Sequence, residues 1–154
     1  MRQAVVDASV AAKWVIAEDH SAQAALLLAF DALHAPGHWR AEAVNVLWSK
    51  VMQGDLTGED AEERMSVLLR APVIDTPIAA LMPRAFAIAV ALKVTIYDAL
   101  YVALAEGRGI PLVTADERLI RRVSGDPGLA KRMVWVGDFS TSESPRAETT
   151  SRAT

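Results

Sequence analysis

The chain has 154 residues, enough for one compact domain that buries its own core without staples. Hydrophobic residues make up 52% and cysteine is absent, which excludes disulfide scaffolds, thiolate zinc sites and cysteine nucleophiles. The formal net charge of −3 is the opposite of what a nucleic-acid binder usually carries, so such a role would need cations from elsewhere, such as bound metal ions.

The opening MRQAVVDAS has one early Arg and an apolar run that stops at Asp7, too short for a signal peptide. No uncharged apolar run approaches the roughly 20 residues of a membrane span. A soluble, cytoplasmic protein is expected.

Residues 3–7 read as a short buried strand ending in an acid, and Ser9 is placed to cap a helix over 10–17. A second helix is expected over 20–33, because Ala22, Ala25, Leu26, Ala29, Phe30 and Leu33 fall on one helical face. His34-Ala-Pro-Gly37 breaks it and leaves room for a very short strand. A third helix spans 38–53 and stops at Gly54, and Thr57-Gly-Glu-Asp60 is a capping box for a fourth over 58–70. Ala71-Pro-Val-Ile-Asp75 reads as a strand. Over 77–93 the residues Ile78, Leu81, Met82, Ala85, Phe86 and Ala89 share a helical face, with Pro83 inside as a kink or split. Thr95-Ile-Tyr-Asp98 opens a helix that Gly109 closes. A strand over 110–114, a short helix from Asp116 to Val123 and a last strand over 131–136 follow. This alternation predicts an α/β domain over 1–139 with a mostly parallel, helix-covered sheet. The polar residues 140–154 are expected to be disordered.

Open α/β sheets bind ligands at the carboxyl ends of their strands. Asp7 and Asp116 follow two such strands, Glu42 lies on the third helix, and Asp98 lies in the first turn of its own helix. Each has an ordinary structural explanation: Asp98 as the capping-box acid of Thr95, Asp116 as a helix-dipole acid, Asp7 as a strand stop, Glu42 as a solvated first-turn acid. Against that, Asp98 and Glu42 sit on otherwise apolar helices, and Asn45 shares a face with Glu42. Carboxylates gathered in one pocket repel one another and invite a cation, and an all-oxygen set without His or Cys selects Mg²⁺ or Mn²⁺ over zinc.

Four segments in order then resemble one family. They are Val5-Val-Asp-Ala-Ser9, Ala35-Pro-Gly-His-Trp-Arg-Ala-Glu-Ala-Val-Asn-Val-Leu47, Thr95-Ile-Tyr-Asp-Ala-Leu-Tyr-Val-Ala-Leu-Ala105 and Pro111-Leu-Val-Thr-Ala-Asp116. Together they resemble the PIN-domain ribonucleases, and within them the VapC toxins, over roughly residues 3–137. The resemblance implies a three-layer α/β/α fold and a catalytic, metal-ligating set of Asp7, Glu42, Asp98 and Asp116. Ser9, Asn45 and Thr114 would support it. It further implies hydrolysis of RNA by water activated on one or two Mg²⁺ or Mn²⁺ ions, a homodimer, and an antitoxin partner laid across the groove. The apolar faces of helices 20–33 and 38–53 are candidate grooves for that partner. Two departures are Gly37, where a serine-like cap is common, and the long polar tail.

Arg118, Arg121 and Arg122 are candidate RNA contacts, with Lys131 and Arg132 further on; a solvated helix face explains them equally well. Trp14, Trp39 and Trp48 are read as core or interface packing, with base stacking as the alternative; Tyr97 and Tyr101 are read mainly as packing, and the three histidines receive no catalytic role. Three rival readings remain: a catalytically silent PIN-fold RNA binder, a response-regulator-like or phosphatase-like domain, and a purely structural partner. The second fits poorly, because the first strand continues Asp7-Ala-Ser9 rather than Asp-x-Asp.

Overall fold

Five short strands pair in the order β3-β2-β1-β4-β5: β1 (Gln3–Val6), β2 (Ala32–Pro36), β3 (Val73–Thr76), β4 (Leu112–Thr114) and β5 (Met133–Trp135). Each pairing is parallel, so the sheet is wholly rather than mostly parallel. This is a computed structural model that describes residues 1–139; the tail expectation for 140–154 lies outside them. Val5, Val6, Leu112 and Val113 are fully buried, as befits strands covered by helices on both sides.

The helices are α1 (Ala8–Ala11), α2 (Ser21–Leu26), α3 (Trp39–Met52), α4 (Gly58–Leu68), α5 (Met82–Leu92), α6 (Ile96–Arg108), α7 (Glu117–Val123) and α8 (Pro127–Ala130). From β1 the chain steps outward to β2 and β3, then crosses back over β1 to β4 and β5. Right-handed crossovers therefore put α1–α4 on one face and α5–α8 on the other, giving three layers. In α6, Ala99 through Ala105 are all buried, and the helix packs on β1, β2 and β4. Among the described residues no single helix is long and apolar enough to cross a membrane.

Several expectations need correcting. The first strand ends at Val6, and Asp7 rather than Ser9 caps the short α1, which a 3₁₀ turn at Ala12–Trp14 ends. The expected helix over 20–33 stops at Leu26, followed by a 3₁₀ turn at Leu27–Ala29. Ala32 and Leu33 belong to β2, which hydrogen-bonds to β1 on one side and β3 on the other; two ladders outweigh a helical periodicity. The stretch expected as one helix over 77–93 is split beside Pro83, a 3₁₀ turn at Ala79–Leu81 giving way to α5; Pro83 stands in the first turn of α5, where its missing N–H is harmless. The short α8, capped by Asp126, was not expected.

Two stability measurements check this packing. Leu100→Ala, at a site 1% exposed, should cost about 2–5 kcal/mol in urea denaturation. Pro83→Ala should cost less than about 1 kcal/mol, since a first-turn proline mainly restricts the unfolded chain.

Candidate active site

The order of strands reverses between β1 and β4, and both strands run the same way, so their carboxyl ends open one crevice. Asp7 and Asp116 follow those two strands. Asp7 Oδ2 accepts a 2.6 Å hydrogen bond from the Thr114 hydroxyl, and the same oxygen of Thr114 accepts from the Asp116 amide at 3.0 Å. Asp116 Oδ1 accepts from the amides of Arg118 and Leu119, capping α7. Ser9 Oγ accepts from the Ala115 amide at 3.2 Å and so ties the start of α1 to the end of β4.

Glu42 and Asp98 arrive from opposite layers. Trp39 is fully buried at the start of α3, and its indole N–H donates to Asp75 Oδ1 on β3 at 2.8 Å. Arg40 donates to the same carboxylate, and the Gly37 amide to Thr76 O. These contacts fix the first turn of α3, which carries Glu42. The N-cap position of α3 is His38 rather than Gly37, and it makes no side-chain cap bond. Asp98 lies in the first turn of α6, where the Thr95 hydroxyl accepts from its amide at 3.2 Å.

All four acids line one pocket of about 550 Å³, together with Ser9, Asn45 and His38. Thr114 is fully buried behind Asp7. Asp7 itself is 6% exposed, and burial, aided by the charges of Asp98 and Glu42, pushes its carboxyl up to about 6. Asp98 is also raised, by burial and then by the charges of Asp116 and Glu42. Burial pushes Glu42 the same way, but hydrogen bonds from His38 and Tyr101 outweigh it and hold Glu42 below its ordinary value.

Those two partners were missed in the sequence. The Tyr101 hydroxyl donates to Glu42 Oε1 at 2.8 Å, from a ring that is fully buried and so also packs as expected. His38 Nε2 stands 2.9 Å from the same oxygen and 3.2 Å from Tyr97 O. Both partners are acceptors, so Nε2 carries the proton and donates. The spacing of His38 and Glu42 at i, i+4 was the available signal. Tyr97, read mainly as packing, is 62% exposed and lines the pocket; of the core and interface readings of Trp48, its 57% exposure on α3 removes only the core one. Trp39 and Trp14 pack as expected, the latter donating to Ala24 O. Arg118 and Arg122 line a smaller cavity next to the acids, whereas Arg121 lines neither.

Among the described residues no three His, Cys, Asp or Glu side chains form a ready-made metal cage. The donor set nevertheless fits a hard divalent cation. It is all oxygen, it lies in an open pocket, and burial together with the neighbouring carboxylates raises the proton affinity of Asp7 and Asp98.

Comparison with known proteins agrees with this architecture. Residues 4–125 match the PIN domain family, and the chain belongs to that family. It is 36% identical over 120 residues to Ribonuclease VapC3 of Mycobacterium tuberculosis, covering 77% of this chain and 86% of the relative. Within the family, this is a VapC-type member. The fold superposes on the crystal structure of PAE2754 from Pyrobaculum aerophilum with a TM-score of 0.67 at 24% identity, covering 88% of this chain and 92% of that one. A toxin-antitoxin complex from Klebsiella pneumoniae contains a chain of the same fold, with a TM-score of 0.57 at 17% identity, covering 85% and 95%.

The raised carboxyl of Asp7 has a measurable sign. Folded, it holds its proton up to about pH 6; unfolded, it releases it near 3.8. Between those values the folded state binds more protons, so this group's contribution to stability falls as pH rises from about 4 to about 6. In EDTA, Asp7→Asn should therefore be more stable than wild type at pH 7, by on the order of 2 kcal/mol. The difference should shrink towards pH 4 when denaturation is measured at both values.

Proposed function

We propose that the chain is a divalent-metal-dependent endoribonuclease, the toxin half of a VapBC-type toxin–antitoxin pair acting in the cytoplasm. The observation that carries this reading is the convergence of four carboxylates, from four separate elements, in one pocket at the switch point of a VapC-type PIN fold. Asp7, Asp98 and Asp116 would hold Mg²⁺ or Mn²⁺, with Glu42 binding directly or through water. When bound, such an ion supplies the positive charge and Lewis acidity that phosphodiester hydrolysis needs.

The protein's own part is positioning. The Thr114 hydroxyl donates to Asp7 and accepts from the backbone amide of Asp116. Tyr101 and His38 keep Glu42 ionised with one oxygen engaged, so that it can accept a hydrogen bond from the attacking water. Ser9 and Asn45 line the same pocket and support the site. Below about pH 6, Asp7 must first lose its proton to act as a ligand, which makes metal binding weaken in acid.

For the antitoxin, the exposed side of α3 runs from Asn45 in the pocket to Trp48 and Met52 beyond it, an apolar approach to the acids. A basic side chain of the antitoxin would complement the crowded carboxylates. Met82, Phe86 and Val90 form an exposed apolar row on α5, which supports a homodimer.

Incubating the protein with total RNA and Mn²⁺ or Mg²⁺, and mapping new 5′ ends by sequencing, tests the activity. Cuts are expected with wild type and not with EDTA or with Asp98→Asn; equal cutting by wild type and variant would remove the assignment. If none of them cuts, the silent RNA-binding alternative gains ground. Tyr101→Phe should lower activity or metal affinity by about 10–100-fold, because an outer hydrogen bond to a ligand is lost. Calorimetry with Mn²⁺ against wild type measures it.

A further inference from the structure

A second cavity, of about 140 Å³, shares Asp98 and Asp116 with the acidic pocket and is walled on its other side by Lys93, Arg118 and Arg122. Arg118 and Arg122 are one turn apart on α7. Lys93 is the last residue of the turn that ends α5. Its backbone sits at φ 57°, ψ 43°, in the left-handed region where glycine is free and a side chain is strained. Among the described residues, none of the three cations enters an ion pair. Three unpaired cations thus stand beside the acids, one of them at a strained backbone position that a glycine would relieve.

We infer that Lys93, Arg118 and Arg122 form a subsite for one backbone phosphate of an RNA strand, next along the strand from the phosphate held at the acids. This rests on the nuclease reading and adds a substrate contact to it. The cavity is small, anion-seeking on one wall and continuous with the acidic pocket on the other. Successive phosphates of one strand can therefore occupy both. Guanidinium groups suit the task because their fork meets two phosphate oxygens at once. The grouping also accounts for how a chain of net charge −3 can hold RNA: its positive charge is local, where the strand must pass.

The test is fluorescence anisotropy with a short, labelled, mixed-sequence single-stranded RNA, in the Glu42→Gln background with Mg²⁺, as a function of NaCl. Lys93→Gly and the Arg118→Ala/Arg122→Ala pair should weaken binding, and the slope of log K against log[salt] should fall by about 0.7 for a lost phosphate contact. Arg121→Ala should leave the slope unchanged. Lys93→Gly should keep or raise the melting temperature, which separates loss of charge from loss of fold. Slopes equal to the background in all variants would overturn the subsite. So would unchanged RNA binding accompanied by weaker binding of an oligo-glutamate peptide, which would give the patch to a protein partner. The nuclease reading fails separately: a wild-type protein that cuts no RNA while the variants lose slope as stated would keep the subsite and discard the cleavage.

Discussion

Four carboxylates crowd one pocket, and everything around them is arranged to hold like charges together. Burial first, and then the charges of their neighbours, make Asp7 and Asp98 cling to protons more tightly than ordinary carboxyls. Thr114 is the main restraint. One buried hydroxyl donates to Asp7 and accepts from the amide of Asp116, so a single side chain on β4 orients two acids and fastens β4 to the end of β1. Uncompensated, the buried and crowded acids oppose the stability of the fold. A protein can carry such an arrangement only on a rigid frame, and the buried strands and α6 provide it.

Glu42 shows the complementary device. It faces the same crowd, yet Tyr101 and His38 keep it charged by donating to one of its oxygens. Two acids are thus tuned in opposite directions within one cavity: Asp7 towards holding a proton, Glu42 towards releasing it. Divergent tuning of neighbouring carboxyls separates a group that waits for a counter-charge from one that is already a base.

The four acids were legible because each stands at the end or in the first turn of an element whose type could be read from its neighbours. Asp7 and Asp116 follow apolar strand runs, and Asp98 follows a capping threonine. The partners of Glu42 were less legible. Tyr101 is 59 residues away in sequence and meets Glu42 only because α3 and α6 converge on the crevice from opposite layers. β2 was half hidden for a different reason: Ala32 and Leu33 continue the apolar rhythm of α2, and only pairing with two neighbours makes them strand. Pro83 was placed in the right helix, but its effect depends on where that helix begins, and an apolar rhythm continuing upstream of it conceals the start.

The pairing of β1 with β4 also sets a schedule for biosynthesis. Asp7 is synthesised long before Thr114, which orients it, and Asp116, which lines the same pocket; both lie more than a hundred positions later. Until that segment has emerged, Asp7 lacks its hydrogen-bond donor, the pocket lacks Asp116, and a nascent chain carries only fragments of the centre. Chains that stall or are cleaved before β4 cannot assemble it at all. A parallel sheet whose middle neighbours are joined this late thereby delays assembly of the centre until β4 has been made.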